Sequence, residues 1–269
     1  MQYEIKTKIA NRKNYGNMRS ISDIQWIPVH YTGNDGDTDE ANANYFANNV
    51  VKASAHAFVD DDSVTISVPE NYVAWAVGGG KQDQGSPYAK NGAKYYKKVT
   101  NTNSYSVEMC DTIKNGKRMV SDKTRENAID YIARKMIDFG VDINHVIRHF
   151  DVTGKLCPIY YVTDEKAWKQ FKSDLNKRYK ELIKEKKKSL PTVPKNTLKK
   201  GSKGTKVGQL QKCLNYLGIK DDNGKKLDVD KSFGNATYEA MKNFQKKYGL
   251  EVDGSYGPAS YEKMKSVIK

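Results

Sequence analysis

Ile24-Gln25-Trp26-Ile27-Pro28-Val29-His30-Tyr31-Thr32 is the run on which the reading of the fold turns. It is rich in β-formers, and at His30 it gives way to the polar turn Tyr31-Thr32-Gly33-Asn34-Asp35, a common place for functional side chains. Pro28 is awkward for a central strand. Working outward, Ala55 to Val59, Val64 to Val68 and Ser104 to Cys110 are runs of the same kind, bounded by Asn, Asp, Gly and Pro. Between Lys123 and Phe139 the period changes. Ile129, Ile132, Ala133, Met136 and Ile137 fall at i, i+3, i+4, i+7 and i+8, the stripe of an amphipathic helix, with Ser121 as N-cap and Gly140 as stop. Asp164 to Leu182 reads as another helix. Strands and helices mixed in this order predict an α/β domain over residues 1–180, a central mixed sheet flanked by helices.

Lys184-Glu185-Lys186-Lys187-Lys188, followed by Pro191 and Pro194, carries no apolar face to bury and holds two helix breakers, so residues 181–198 read as a basic linker. Beyond it lies an internal repeat. Val229-Asp-Lys-Ser-Phe-Gly-Asn-Ala-Thr-Tyr-Glu-Ala-Met-Lys runs parallel to Val252-Asp-Gly-Ser-Tyr-Gly-Pro-Ala-Ser-Tyr-Glu-Lys-Met-Lys. Gly234 and Gly257, Tyr238 and Tyr261, and Met241 and Met264 stand in register. With the stripe Val207, Leu210, Cys213, Leu214 and Leu217, the repeat predicts a small all-α module of three helices over residues 199–269.

The net charge of +14 is unevenly placed. Residues 1–175 hold 23 Lys+Arg against 22 Asp+Glu, residues 176–189 hold 7 against 2, and residues 190–269 hold 16 against 8. A basic tail suits nucleic acid, anionic lipid or anionic wall polymer on electrostatics alone. All sixteen cations of the last segment are Lys, whereas nucleic-acid readers favour the bidentate fork of Arg, so no nucleic-acid partner is expected. No apolar run approaches the roughly 18–20 residues that span a membrane, so no membrane insertion is expected either. Cys110, Cys157 and Cys213 are too few and scattered for a disulfide framework. The first residues lack the basic start and apolar stretch of a secretory signal, so export by the general route is not expected.

The four histidines are His30, His56, His145 and His149. In Arg148-His149-Phe150-Asp151-Val152-Thr153-Gly154-Lys155-Leu156-Cys157-Pro158 an imidazole and a thiol stand eight residues apart across a Gly turn, which can bring both to one point. Two His and one Cys, with a fourth position left for water, is a catalytic zinc arrangement. By chemistry alone His30, His149 and Cys157 compete with a pairing of His145 and His149 at i and i+4 on a helix. Gly140 and the β-branched Val141, Ile143, Val146 and Ile147 argue against a helix there.

His30 after a strand, Ser54-Ala55-His56-Ala57-Phe58-Val59-Asp60, Ala74-Trp75, Ser106-Val107-Glu108-Met109-Cys110 and the His149 to Pro158 segment resemble, in order and spacing, one family. It is that of the N-acetylmuramoyl-L-alanine amidases, the type shared with phage T7 lysozyme and the peptidoglycan recognition proteins. The resemblance covers roughly residues 20–175. It implies the zinc amidase fold, Zn2+ held by His30, His149 and Cys157, and catalytic roles for Glu108 and Lys155. A carboxylate can take a proton from water, and an ammonium can meet a developing oxyanion. His56 falls on the substrate side of the site, with a core histidine as the alternative. Cys110 reads as a buried small hydrophobe. Many relatives carry a His directly after Ala-Trp, where this chain has Ala76, and the insertion from Lys81 to Tyr96 leaves the shape of the groove open.

The tail resembles the peptidoglycan-binding module found beside wall hydrolases, through Gly201 to Val207, Leu210-Gln211, Leu214-Asn215, Phe233-Gly234, Phe244-Gln245 and Gly249 to Gly254. The two resemblances imply hydrolysis of the bond between N-acetylmuramic acid and L-alanine in bacterial peptidoglycan. A phage endolysin released through a holin is the first expectation. A bacterial autolysin exported by another route is the second, and a non-catalytic peptidoglycan binder, in which the Cys is commonly replaced, is the third.

Overall fold

The computed structural model describes residues 3–81 and 91–268, so most of the insertion noted above (residues 82–90) lies outside the described residues. The chain divides into two compact units, Met1–Ile183 and Lys184–Lys269. No helix among the described residues is long and apolar enough to cross a membrane.

In the first unit the described strands are β1 (Glu4–Thr7), β2 (Tyr15–Met18), β3 (Ile27–Tyr31), β4 (Ala57–Val59), β5 (Ser63–Ile66), β6 (Tyr72–Ala74), β7 (Val107–Met109), β8 (Thr112–Lys114), β9 (Lys117–Met119) and β10 (Val146–Arg148). Six of them form the central sheet in the order β1-β5-β4-β7-β3-β10. Only the β4–β5 pair is antiparallel, so the sheet is mixed, as the sequence leads one to expect. Pro28 is tolerated inside it because it stands opposite Ile147 of β10, one residue before the β7 ladder begins at Val29. β8 and β9 make a hairpin that the sequence reading did not pick out. Its Asn115-Gly116 turn has φ of 52° and 71°, the left-handed pair that suits a two-residue hairpin loop.

The period-2 alternation of the strands separates two faces. Ile27, Val29, Ala57, Val59, Val107, Met109 and Val146 all enter the main core. There they meet α2 (Asp122–Phe139) through Ala128, Ile132, Ala133 and Met136, and α5 (Glu165–Ser189) through Trp168, Phe171, Leu175 and Leu182. Ser121 caps α2, its Oγ accepting the Thr124 N–H at 2.9 Å, and Gly140 ends it at φ 68°. The residues between, His30, Phe58 and Glu108, therefore point to the other face. Phe58 is covered there by Ala43 and Phe46 of α1 (Asp39–Asn48). His30 and Glu108 are left to build the site, joined by the short helices α3 (His149–Thr153) and α4 (Ile159–Val162).

α5 runs through Lys184–Lys188 to Ser189, where the sequence suggested a linker. Lys and Glu are good helix formers, and a solvated helix needs no apolar face once its first turns are anchored. The residues that follow pack within the second unit. Leu190 and Val193 lie against its core, Tyr256 donates to the Pro194 carbonyl at 2.8 Å, and Leu198 bridges to Tyr256.

The second unit holds α6 (Thr205–Tyr216), α7 (Asn235–Lys247) and α8 (Pro258–Val267). Leu210, Leu214, Phe233, Met241, Phe244, Tyr256 and Met264 form its core. The repeat has a structural basis. Gln211 donates to Asp230 Oδ1 (2.7 Å) and the Ser232 carbonyl (3.1 Å), and Gln245 to Asp253 Oδ1 (2.7 Å) and the Ser255 carbonyl (2.9 Å). In each copy a buried glutamine on one helix pins the turn that starts the next, so Asp-x-Ser recurs because an amide must be satisfied.

Candidate metal and catalytic site

His30 is the penultimate residue of β3, His149 follows β10 directly, and β3 pairs with β10 in parallel, so both imidazoles emerge at the carboxyl ends of neighbouring strands. Open α/β sheets place ligand sites at such ends. Cys157 is returned to the same point by the short loop after α3. Gly154 turns at φ 85°, a conformation a Cβ would strain, and the Phe150 N–H donates to the Cys157 carbonyl at 2.9 Å. The Cys157–Pro158 peptide is cis. Arg148 anchors the segment from below: its guanidinium meets Asp151 at 2.9 Å, the Tyr161 carbonyl at 2.9 Å and Glu165 at 2.8 Å.

The donor atoms of His30, His149 and Cys157 lie within 4.8 Å of one another, and all three residues are buried. His30 Nδ1 is 3.9 Å from the Cys157 sulfur, and the two imidazole rings are 4.6 Å apart. Burial depresses the pKa of both histidines, His30 well below its ordinary value and His149 to about 3, and raises that of the Cys157 thiol. The Tyr31 backbone N–H opposes the last shift, since it donates to the sulfur and favours the thiolate. His30 Nε2 and both ring nitrogens of His149 are buried without a hydrogen-bond partner. A buried imidazole with neither nitrogen engaged is costly. Two neutral imidazoles and a sulfur around one point are the donor set that suits Zn2+, so the residues fit that ion.

Glu108 on β7 stands opposite His30 in the sheet, its Oε1 3.8 Å from His30 Nδ1 and its Oε2 buried without a partner. Burial pushes its carboxyl up to about 8, against the pull of the Lys155 charge. Lys155 is exposed on the Gly154 loop, and its charge reaches His30, Glu108, His149 and Cys157. Four polar groups and the thiol are thus gathered at one place.

The remaining histidines are elsewhere. His56, expected on the substrate side, is fully buried behind the site: Nδ1 accepts the Ser106 N–H at 3.0 Å, Nε2 lies 3.1 Å from the Tyr72 carbonyl and 2.9 Å from Arg19 Nη2, and the ring stacks on Tyr105 at 4.4 Å. These protein groups occupy both nitrogens, and burial holds its pKa down at about 3. His145 sits on a 3-10 turn, bonded to Asp142 at 2.9 Å and packed on Trp26, so it does not pair with His149. Cys110 is buried beside Asn42 and outside the donor cluster. The Ala76 N–H is taken by Asn101 Oδ1 at 3.0 Å.

Asp111 was not singled out from sequence. It accepts from Thr32 Oγ1 (2.9 Å), the Gly33 N–H (2.8 Å) and Arg118 (2.7 Å), and so fixes the loop that leaves His30. Tyr160 also went unnoticed; its hydroxyl is buried without a partner and lies close enough to feel the charges of Cys157 and Glu108. An acid two residues past a strand and a tyrosine two residues past Cys-Pro are too common for sequence to mark.

A mixed sheet of this order, with two imidazoles and a thiol converging at its carboxyl ends, has the architecture of the zinc amidases. The chain belongs to the N-acetylmuramoyl-L-alanine amidase family, whose model matches residues 20–160. A putative peptidoglycan binding domain matches residues 203–264. The chain is similar to the N-acetylmuramoyl-L-alanine amidase CwlL of Bacillus licheniformis, 32% identical over 86% of this chain and 62% of that protein. It is also similar to CwlA of Bacillus subtilis (strain 168), 28% identical over 93% of each. The solved structure of PlyL superposes with a TM-score of 0.50 at 27% identity, over 64% of this chain and 96% of that one. The chain thus spans less than two thirds of the first of these relatives.

Proposed function

We propose that the protein hydrolyses the amide bond between the lactyl group of N-acetylmuramic acid and the L-alanine of the stem peptide in bacterial peptidoglycan. In this reading His30, His149 and Cys157 hold Zn2+. The observation that carries it is the buried donor set with unpartnered ring nitrogens beside an equally unpartnered carboxylate oxygen. The ion, when bound, lowers the pKa of water and polarises a carbonyl. Glu108 takes the proton of the attacking water and passes it to the leaving amine. A carboxyl held near neutral pH is suited to both directions of transfer. Lys155 offers its ammonium to the oxyanion of the tetrahedral species. His56 supports the strand below these groups and does not touch substrate.

The second unit holds the enzyme on the wall, its excess of Lys adding attraction to anionic polymer. We place the protein at the cell wall as a phage endolysin. The relatives named from Bacillus favour, as a second reading, a bacterial autolysin of the same activity. Mass spectrometry of digested walls tests the reaction. An amidase leaves new N-terminal L-alanine on released peptides and intact glycan strands; new reducing sugar ends, or cuts within the peptide, would refute it.

A further inference from the structure

The Lys155 side chain is exposed and makes no ion pair among the described residues, so the place of its ammonium is set by its backbone. That backbone is held within its own loop. Thr153 Oγ1 accepts the Lys155 N–H at 3.4 Å, and the Cys157 N–H donates to the Lys155 carbonyl at 2.7 Å. The loop leaves α3, which has five residues and is too short to satisfy its own last carbonyls.

A segment distant in sequence satisfies them. Ala93 donates its N–H to the Phe150 carbonyl at 3.0 Å, and Tyr95 donates to the Asp151 carbonyl at 2.8 Å. The Tyr95 ring is anchored on Trp26 at 4.9 Å, against a cluster of Val77, Val99, Ile147 and Val152. Directly before Ala93, Gly92 lies on the loop that carries Lys155: a Cβ there would stand 2.7 Å from Gly154 Cα and 2.9 Å from Phe150 Cε2. The first of these atoms is backbone and cannot turn aside as a side chain would. Gly92 is not among the residues of positive φ, so torsion does not call for glycine at this position; space does.

We propose that Gly92 is a positioning residue for the hydrolysis: through its contact with Gly154, residues 91–95 fix where the Lys155 ammonium stands relative to the developing oxyanion. The proposal rests on the reading above in which Lys155 meets that charge. An added methyl at Gly92 must push aside either residues 91–95 or the Gly154 loop. The first are tied down by two backbone hydrogen bonds and the Tyr95 anchor, whereas the loop has an exposed tip at Lys155, so the loop is the side that yields. A displacement of about 1 Å in a catalytic group is worth on the order of 10²-fold in rate.

The test is a double-mutant cycle on the full chain, with kcat and KM measured on purified walls. Gly92→Ala should lower kcat by about 10–100-fold, with KM within about twofold of the parent and zinc content unchanged. In a Lys155→Ala background the same substitution should change kcat by less than about threefold, because the group it misplaces is already gone. Tyr95→Ala withdraws the anchor without adding a clash and should repeat the pattern. It burdens the fold less, which keeps the test open where circular dichroism melts show Gly92→Ala unfolded. Gly80→Ala, whose Cβ would meet nothing within 4 Å, should stay within about twofold of the parent. A loss of kcat that multiplies in full with that of Lys155→Ala would mean that Gly92 supports the fold at large, and would overturn the proposal. Lost zinc, or unchanged turnover in the folded variants, would overturn it too. Lys155→Ala protein with the turnover of the parent would sink the reading of Lys155 itself, and the proposal with it.

Discussion

Glu108→Gln separates chemistry from architecture. Val107 and Met109 on either side are fully buried, and Glu108 itself is paired in register with His30 on one side and Phe58 on the other, so the backbone has no room to respond. Gln is nearly isosteric, leaving no cavity. No hydrogen bond is lost, because Oε2 has no partner and the 3.8 Å from Oε1 to His30 Nδ1 is too long for one. What disappears is the ability to accept a proton, worth on the order of 10²–10⁴ in turnover, or about 2.7–5.4 kcal/mol of barrier. We expect kcat on purified walls to fall by that factor with KM and zinc content little changed. Stability should move the other way at high pH. The folded carboxyl, at about 8, lies above its ordinary 4.5, so ionising it penalises the folded state increasingly as pH rises from 4.5 through 8. The amide never ionises, so in chelator the variant should gain in melting temperature over the parent at pH 9 relative to pH 5. Turnover within threefold of the parent, in protein that carries full metal, would show that the carboxyl is a bystander.

Cys157→Ala and His149→Ala should each lose zinc by metal analysis, since two remaining donors hold the ion poorly against solvent, whereas His145→Ala should retain it; full zinc in Cys157→Ala would break the assignment. Lys155→Ala should keep both zinc and fold, because the side chain is exposed, and lower kcat by about 10²–10³-fold through loss of a charged donor to the oxyanion; unchanged kinetics would return Lys155 to the solvated surface. Phe244→Ala should cost the second unit about 3–5 kcal/mol, Phe244 being fully buried. Calorimetry should show one of two transitions lowered and the other unmoved, and a single shifted transition would mean that the two units do not unfold independently.

Residue patterns alone specify the local structure of this protein. The 3.6-residue stripe of α2 is legible because the helix buries one face and is bounded by Ser121 and Gly140, and the run from Ile24 to Thr32 is legible because it is rich in β-formers and ends in a polar turn. The order of the motifs also brings His30, Glu108, His149 and Cys157 forward as site candidates, and the repeat announces the second unit. Tertiary structure decided the rest. The neighbour order β1-β5-β4-β7-β3-β10 departs from chain order, and no local period states which strand a given strand will pair with. His30 and Cys157 are 127 residues apart and meet only because β3 pairs with β10. His56 shares a motif with functional residues, yet its alignment with Ser106, two residues before Glu108, puts it under the site, where the fold consumes both nitrogens. Lys184 to Lys188 has no apolar face and read as linker, but a helix anchored by Trp168, Phe171, Leu175 and Leu182 extends through these charged residues at little cost. Short-range patterns encode what a segment buries; what it is buried against depends on pairings between distant segments, and those are settled only when the whole core closes.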